Sequence, residues 1–240
     1  MALRDKLLDV LDRAAQIEQE LIQALTPGER TQVGVVDHWS VKDLVSHATA
    51  WQQHMIQGLE GEQGWFSAQT VDDIDHTNAQ IFEAYRDLTW DEVILYADQA
   101  RGAIRRRVER SKESDLTDPS RIATSNDQPL WRRLVSNAVV HPVMHYAQFY
   151  ADRGDRAKAV AIQERMGEML LALDHDPIWQ GVTRYNLGCA HALAGLKDQA
   201  IGELRQALEL NPGLRDWSKQ DSDLDSLRGD PAYEALYAKG

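Results

Sequence analysis

Two histidines four residues apart, His141 and His145 in "NAVVHPVMHYAQFY" (137–150), carry the strongest chemical signal in the chain. On a helix that advances ~100° per residue, His145 lies about 40° from His141, and Leu134, Ala138 and Phe149 fall within about 80° on the same side. Both rings therefore belong to the buried face. A neutral imidazole has one donor and one acceptor to place, and a buried unpaired polar group costs about 1–3 kcal/mol. One divalent cation removes the acceptor problem for several rings at once. Histidines at i and i+4 can share an ion, and a third from a facing helix leaves coordination positions open for water or substrate. That is the arrangement of a catalytic site rather than a closed structural one. His47 is available for this role, at the edge of the apolar stripe Val41, Leu44, Ala48, Trp51 and Met55; His54 follows at nearly the same helix angle and reads as a partly exposed helix-edge residue that could join the site only as a hydrogen-bond donor to a ligand or as a proton shuttle. Spacing alone is weak, because an isolated H-x₃-H pair is more often ordinary core or surface histidine than ligand. Pro142 adds a local expectation: it removes the bond to the Ala138 carbonyl and should kink or restart the helix beside His141.

The elements that must position these rings read as helices throughout, with no alternating strand pattern. Leu3, Leu7, Leu8, Leu11, Ala14, Ile17, Leu21 and Leu25 mark a first amphipathic helix that ends near Thr26-Pro27-Gly28. A polar loop leads to "SVKD", where Ser40 with Asp43 forms a variant capping box and starts the helix of His47. A third helix spans about 71–87, and "TWDE" caps a fourth through Thr89 and Glu92. The turn-rich stretch 113–129 reads as a loop. A fifth helix begins near Leu130 and carries the histidine pair. His38, His76 and His175 lie in polar surroundings and read as surface residues.

After Arg153 the pattern changes. "YNLGCAHALAGLKDQAIGELRQALELNP" (185–212) reads as an antiparallel helix pair around Gly195. Leu187, Gly188, Ala200, Leu204, Ala207 and Pro212 fall in one 34-residue frame, so the segment resembles a tetratricopeptide repeat. Arg184 stands where that repeat has Trp, and His191 where it has an aromatic. A weaker echo, "GDRAKA" at 154–159, suggests a degenerate repeat before it. Leu224, Leu227, Tyr233, Leu236 and Tyr237 in the acidic tail are available to cap the pair.

"HWSVKDLVSHATAWQQHM" (38–55), followed about 90 residues later by "HPVMHYAQFYADRG", resembles the DinB/YfiT-like superfamily, and "TNAQIFEAYRDLTWDEV" is similar to its ClbS/DfsB-type branch. The resemblance covers roughly residues 1–155. It implies an all-α fold, an up-down four-helix bundle holding a metal through one histidine of the second helix and two of the last. By position these are His47, His141 and His145. The expected organisation is a DinB-like bundle over 1–155 and a TPR-like helical extension over 156–240.

Composition restricts the function further. A formal charge of −12 opposes nucleic-acid binding, and the cluster Arg101, Arg105, Arg106, Arg107 and Arg110 reads as a solvated face making local ion pairs. No apolar run has the roughly 20 residues a membrane-spanning helix needs. "MALRDKLLDV" lacks a signal-peptide pattern, so the expected location is the cytoplasm. The single Cys189 excludes an intramolecular disulfide and a cysteine-cage metal site. Imidazole ligands suit zinc, nickel, copper and iron alike. The sequence thus leads to a metal-dependent enzyme with a divalent ion such as zinc, nickel or iron. The resemblance implies a transferase or hydrolase acting on a small-molecule substrate, with a thiol as cosubstrate. The alternative is a non-catalytic binding or protective protein whose TPR-like region takes a protein partner. A homodimer fits either reading.

Overall fold

The computed structural model describes residues 2–35, 38–62, 71–122 and 128–238, without the side chains of residues 71 and 72. Those residues are all-helical, with no strand and one isolated bridge between Val35 and His38. The chain divides into two compact units, Met1–Phe149 and Tyr150–Gly240.

In the first unit α1 (Leu3–Ala24) buries Leu7, Val10, Ala14, Ile17 and Leu21 along one stripe. Its first amide, Leu3 N, donates to Glu113 Oε1 at 2.8 Å. Thr26 does not simply end the segment. With Glu29 it forms a capping box that starts a short α2 (Pro27–Thr31). The same chemistry starts α3 (Val41–Glu60): Ser40 caps Asp43 N, and Asp43 Oδ2 accepts from the amides of Ser40 and Gly34. A side chain on Gly34 would meet the His38 carbonyl at 2.3 Å, so only glycine permits this loop to close on the cap. α3 ends at Gly61 with φ 78°, a left-handed cap that favours glycine.

α4 (Val71–Tyr85) docks on α3 through Ala50 and Ile81, with Trp51 Nε1 donating to Asn78 Oδ1 at 3.2 Å and Tyr85 Oη donating to Gln53 Oε1 at 2.9 Å. Lys42, although buried, is satisfied. Its ammonium donates to the Arg86 and Leu88 carbonyls at 2.6 and 2.8 Å, just past the end of α4. α5 (Trp90–Arg110) starts at the Thr89–Glu92 capping box and packs against α1 and α3. A short α6 (Glu113–Thr117) occupies the start of the stretch expected to be loop.

The last helix of this unit is the one the histidine pair depends on. It runs as α7 (Leu130–Val135), a π-helical turn (Ser136–Val140) and α8 (His141–Asp152). The His141 amide bonds the Ser136 carbonyl, five residues back. In that register the carbonyl that Pro142 leaves without its N–H is Asn137, not the expected Ala138. Gln52 on α3 supplies a donor to it at 3.5 Å, a long hydrogen bond. Proline is tolerated here because the wider turn has already broken the α-helical ladder.

The second unit contains α9 (Arg156–Leu173), α10 (Pro177–Leu193) and α11 (Lys197–Leu210), followed by α12 (Arg215–Ser218) and α13 (Pro231–Glu234) with short 3₁₀ turns between. α10 and α11 form a hairpin around Gly195, φ 80°. Leu187, Gly188, Ala200, Leu204 and Ala207 are buried. A Cβ on Gly188 would lie 2.8 Å from Leu204 Cγ, and one on Gly181 would lie 2.6 Å from Asn211 Cβ, so small residues set how closely the two helices approach. Leu224, Leu227, Tyr233 and Leu236 from the tail complete the core of this hairpin.

Candidate metal centre

α3 carries His47 and α8 carries His141 and His145, and all three rings face one another. The Nε2 atoms of His47 and His145 each lie 2.9 Å from Nε2 of His141. The three ring centroids are 4.7–4.9 Å apart in near-perpendicular pairs. Trp39 lies against the group, 4.6 Å from His47 and 6.3 Å from His145, and Trp51 approaches the His47 ring edge at 6.4 Å.

A ring nitrogen offers either one proton or one lone pair, so His141 Nε2 cannot make two good hydrogen bonds at once. A cation can accept all three lone pairs. Metal–imidazole bonds of about 2.0–2.1 Å bridge nitrogens up to roughly 4.2 Å apart. The observed 2.9 Å separations fit within that reach. The three ligand atoms lie within 4.8 Å of one another, and among the described residues this group consists of histidines alone. These three residues could therefore hold a metal ion.

The electrostatics favour the same role. Burial, with added repulsion from His141 and His145, lowers the His47 pKa to about 2. Burial lowers His141 to about 4, and burial with the His141 charge lowers His145 to about 4. All three rings are neutral at pH 7, with lone pairs to give. Folding also acquires a pH dependence. Unfolded histidine titrates near 6.5. Between that value and the lowered folded pKa values the unfolded chain binds protons that the folded chain refuses. The contribution is thus fully present above about pH 6.5 and is lost as pH falls, toward about 4 for His141 and His145 and toward about 2 for His47. The urea midpoint of metal-free protein should fall from pH 7 to pH 5, each histidine adding at most about 1.4 kcal/mol per pH unit. A variant with alanine at positions 47, 141 and 145 should show a flatter slope. An equal slope in the two proteins would contradict the lowered pKa values.

Of the other histidines, His38, His76 and His175 are exposed. His191 is buried, with Nε2 3.1 Å from Glu164 Oε1. His54 packs its ring against Trp51 at 6.1 Å and stays outside the three-nitrogen group, so of the two α3 histidines His47 alone joins the pair. The arginine cluster does more than expected. Arg101 pairs with buried Glu18 of α1 and with Asp98, Arg105 with Asp12 of α1 and with Glu109, and Arg110 with Glu60 of α3. Tyr146 Oη donates to Glu18 Oε2 at 2.9 Å. The helix carrying the histidines is thereby tied to α1 and α5. Glu18 carried a signal: an acid inside the apolar stripe of α1, between Ile17 and Leu21.

The family model of the DinB superfamily matches residues 10–149, more than half of the chain and inclusive of all three histidines. The chain belongs to the DinB superfamily. No curated protein and no solved structure matches it. For this DinB-superfamily chain, no helix among the described residues is long and apolar enough to cross a membrane.

Proposed function

We propose that the protein is a metal-dependent enzyme whose ion is held by His47, His141 and His145. The observation that carries this reading is the convergence of three neutral ring nitrogens from two helices in a DinB-superfamily chain. When bound, a divalent ion such as zinc, nickel or iron would supply Lewis acidity, lowering the pKa of water or of a thiol on its open positions. The chain's own residues hold the site and shape it. The π turn and the Gln52 contact set His141 on its helix, and the indoles of Trp39 and Trp51 wall the site with apolar surface. That wall suits a small-molecule substrate with an apolar part. A thiol-dependent transferase or a hydrolase of the ClbS/DfsB-like kind, built on an up-down four-helix bundle and working in the cytoplasm, accommodates these features. The chain's acidity argues against a nucleic-acid partner.

A second reading rests on the hairpin of the second unit. Ile178 and Val182 on α10 are 57 % and 38 % exposed, on the same helix stripe as buried Tyr185 and Cys189. That open end of a TPR-like stripe is suited to a protein partner or a second copy of the chain. The readings separate in one assay. Zinc-loaded full chain is incubated with a low-molecular-weight thiol and a panel of electrophilic small molecules. Saturable consumption of thiol, lost in His141→Ala, is the expected result. Consumption unchanged in that variant would contradict the enzyme reading.

A further inference from the structure

α1, α5 and the last helix of the first unit enclose a cavity of about 130 Å³. It shares no lining residue with the three-histidine group. Small residues line it on three sides: Ala14 and Ala15 on α1, Gly102 on α5 and Ala138 in the π turn, with Pro142 and Val143 of α8 as further wall. Protein interiors pack like organic crystals, and voids larger than a water are few. Leucine is nearly as good a helix former as alanine, so a larger side chain at one of these positions is open to the chain and would fill much of the space. Gly102 points the same way. It lies inside α5, where glycine is less stable than alanine. A Cβ there would meet only the far end of Arg106, at 3.1 Å, so no close backbone approach requires glycine. Stability alone would not keep this space open, and departures of that kind belong to functional sites.

The charged part of the lining is balanced. Arg101 pairs with Glu18 and Arg105 with Asp12, two cations against two anions. Each guanidinium also has a second acid, Asp98 for Arg101 and Glu109 for Arg105. A charged ligand would find no counter-charge to spare and would still lose its hydration. The side chains of Asp12 and Arg105 are 63 % and 42 % exposed, whereas Glu18 and Tyr146 are buried. The lining thus reaches solvent at one ion pair and is closed off at the other. An apolar cavity of about 150 Å³ takes a benzene molecule. We propose that this cavity is a binding site, separate from the three histidines, for one neutral and largely apolar small molecule of about benzene size. Its occupant rests against Pro142, Val143 and Tyr146, so binding stabilises the packing of α8 on α1 and α5. The proposal goes beyond the metal reading and does not rest on it.

The test uses the full chain, metal-free, with ¹³C-labelled alanine and valine methyls. Benzene and phenol are the neutral probes, benzoate and benzylammonium the charged ones. Either neutral probe should shift the methyl signals of Ala14, Ala15 and Val143 saturably and raise the Tm. The charged probes should bind at least about tenfold more weakly, because each carries an unmatched charge into a balanced site. Ala15→Leu should weaken binding of the neutral probes by at least about tenfold, since the side chain takes the place of the ligand. Ala14→Leu fills the same cavity and serves where Ala15→Leu does not fold. No saturable shift with either neutral probe would overturn the proposal and leave a packing void only. Benzoate or benzylammonium binding as tightly as phenol would overturn the assignment to neutral ligands. A folded Ala15→Leu or Ala14→Leu protein that binds the neutral probes as the wild type does would place them elsewhere and also overturn it. Because the chain is metal-free throughout, none of these results bears on whether the three histidines hold an ion.

Discussion

Replacing His145 by alanine should abolish the stabilisation that zinc gives the protein. In the wild type, zinc at about 100 times its Kd should add roughly 2.7 kcal/mol to the folded state. It thus raises the Tm by about 5–10 °C for a chain of this size. His145 sits on α8, 2.9 Å from His141 across the cluster, and its loss leaves two nitrogens where three converge. We expect at least a 100-fold loss of zinc affinity, no zinc-dependent shift in Tm, and an unchanged far-ultraviolet helix signal. The helix survives because alanine keeps its propensity, and the ring's burial contributes polar desolvation that alanine does not incur. A zinc-dependent shift as large as that of the wild type would place the ion elsewhere.

The second large effect concerns what aligns α8. Glu18 is 5 % exposed and joins Arg101 of α5 to Tyr146 of α8. Burial, then the Glu18 charge and hydrogen bond, push the Tyr146 hydroxyl well above its ordinary pKa, so it remains a donor at any working pH. Glu18→Ala strands both partners. Removing one side of a buried ion pair costs about 3–5 kcal/mol, and the lower end applies because Arg101 retains Asp98. A loss near 3 kcal/mol should lower the Tm by roughly 6–12 °C. Tyr146→Phe removes one hydrogen bond and should cost only about 1 kcal/mol. Thermal melts of the two variants measure the difference. A Glu18→Ala protein melting within 1–2 °C of wild type would show that the pair does not hold these helices together.

What the sequence disclosed follows from the range of the forces involved. Helix spans were legible because their causes are local: the 3.6-residue stripe of α1, and the Ser40–Asp43 and Thr89–Glu92 boxes that reappear with both reciprocal bonds. The convergence of His47 with His141 and His145 came from spacing joined to a family resemblance. Spacing alone puts His54 at nearly the helix angle of His47, and the facing of α3 and α8 is what brings His47 to the pair. The short helices α2 and α6 were hidden inside stretches whose Pro, Gly and Asp residues read as turns. The Thr26–Glu29 box was present in the sequence but was outweighed by Pro27-Gly28. The π turn had no local signature, since one extra residue in a helix is a choice of register made by packing. Pro142 pointed to the place and to the wrong carbonyl. The Glu18–Arg101–Tyr146 contact and the buried Lys42 join positions far apart in the chain, so only the anomaly of a charge on an apolar face could have flagged them.

Elemental analysis of the purified full chain, prepared both aerobically and anaerobically, tests the central claim most directly. The wild-type chain should carry close to one divalent ion, and His47→Ala or His145→Ala none above background. A wild-type protein without stoichiometric metal in either preparation, and with no uptake when zinc, nickel or iron is titrated in, would contradict it.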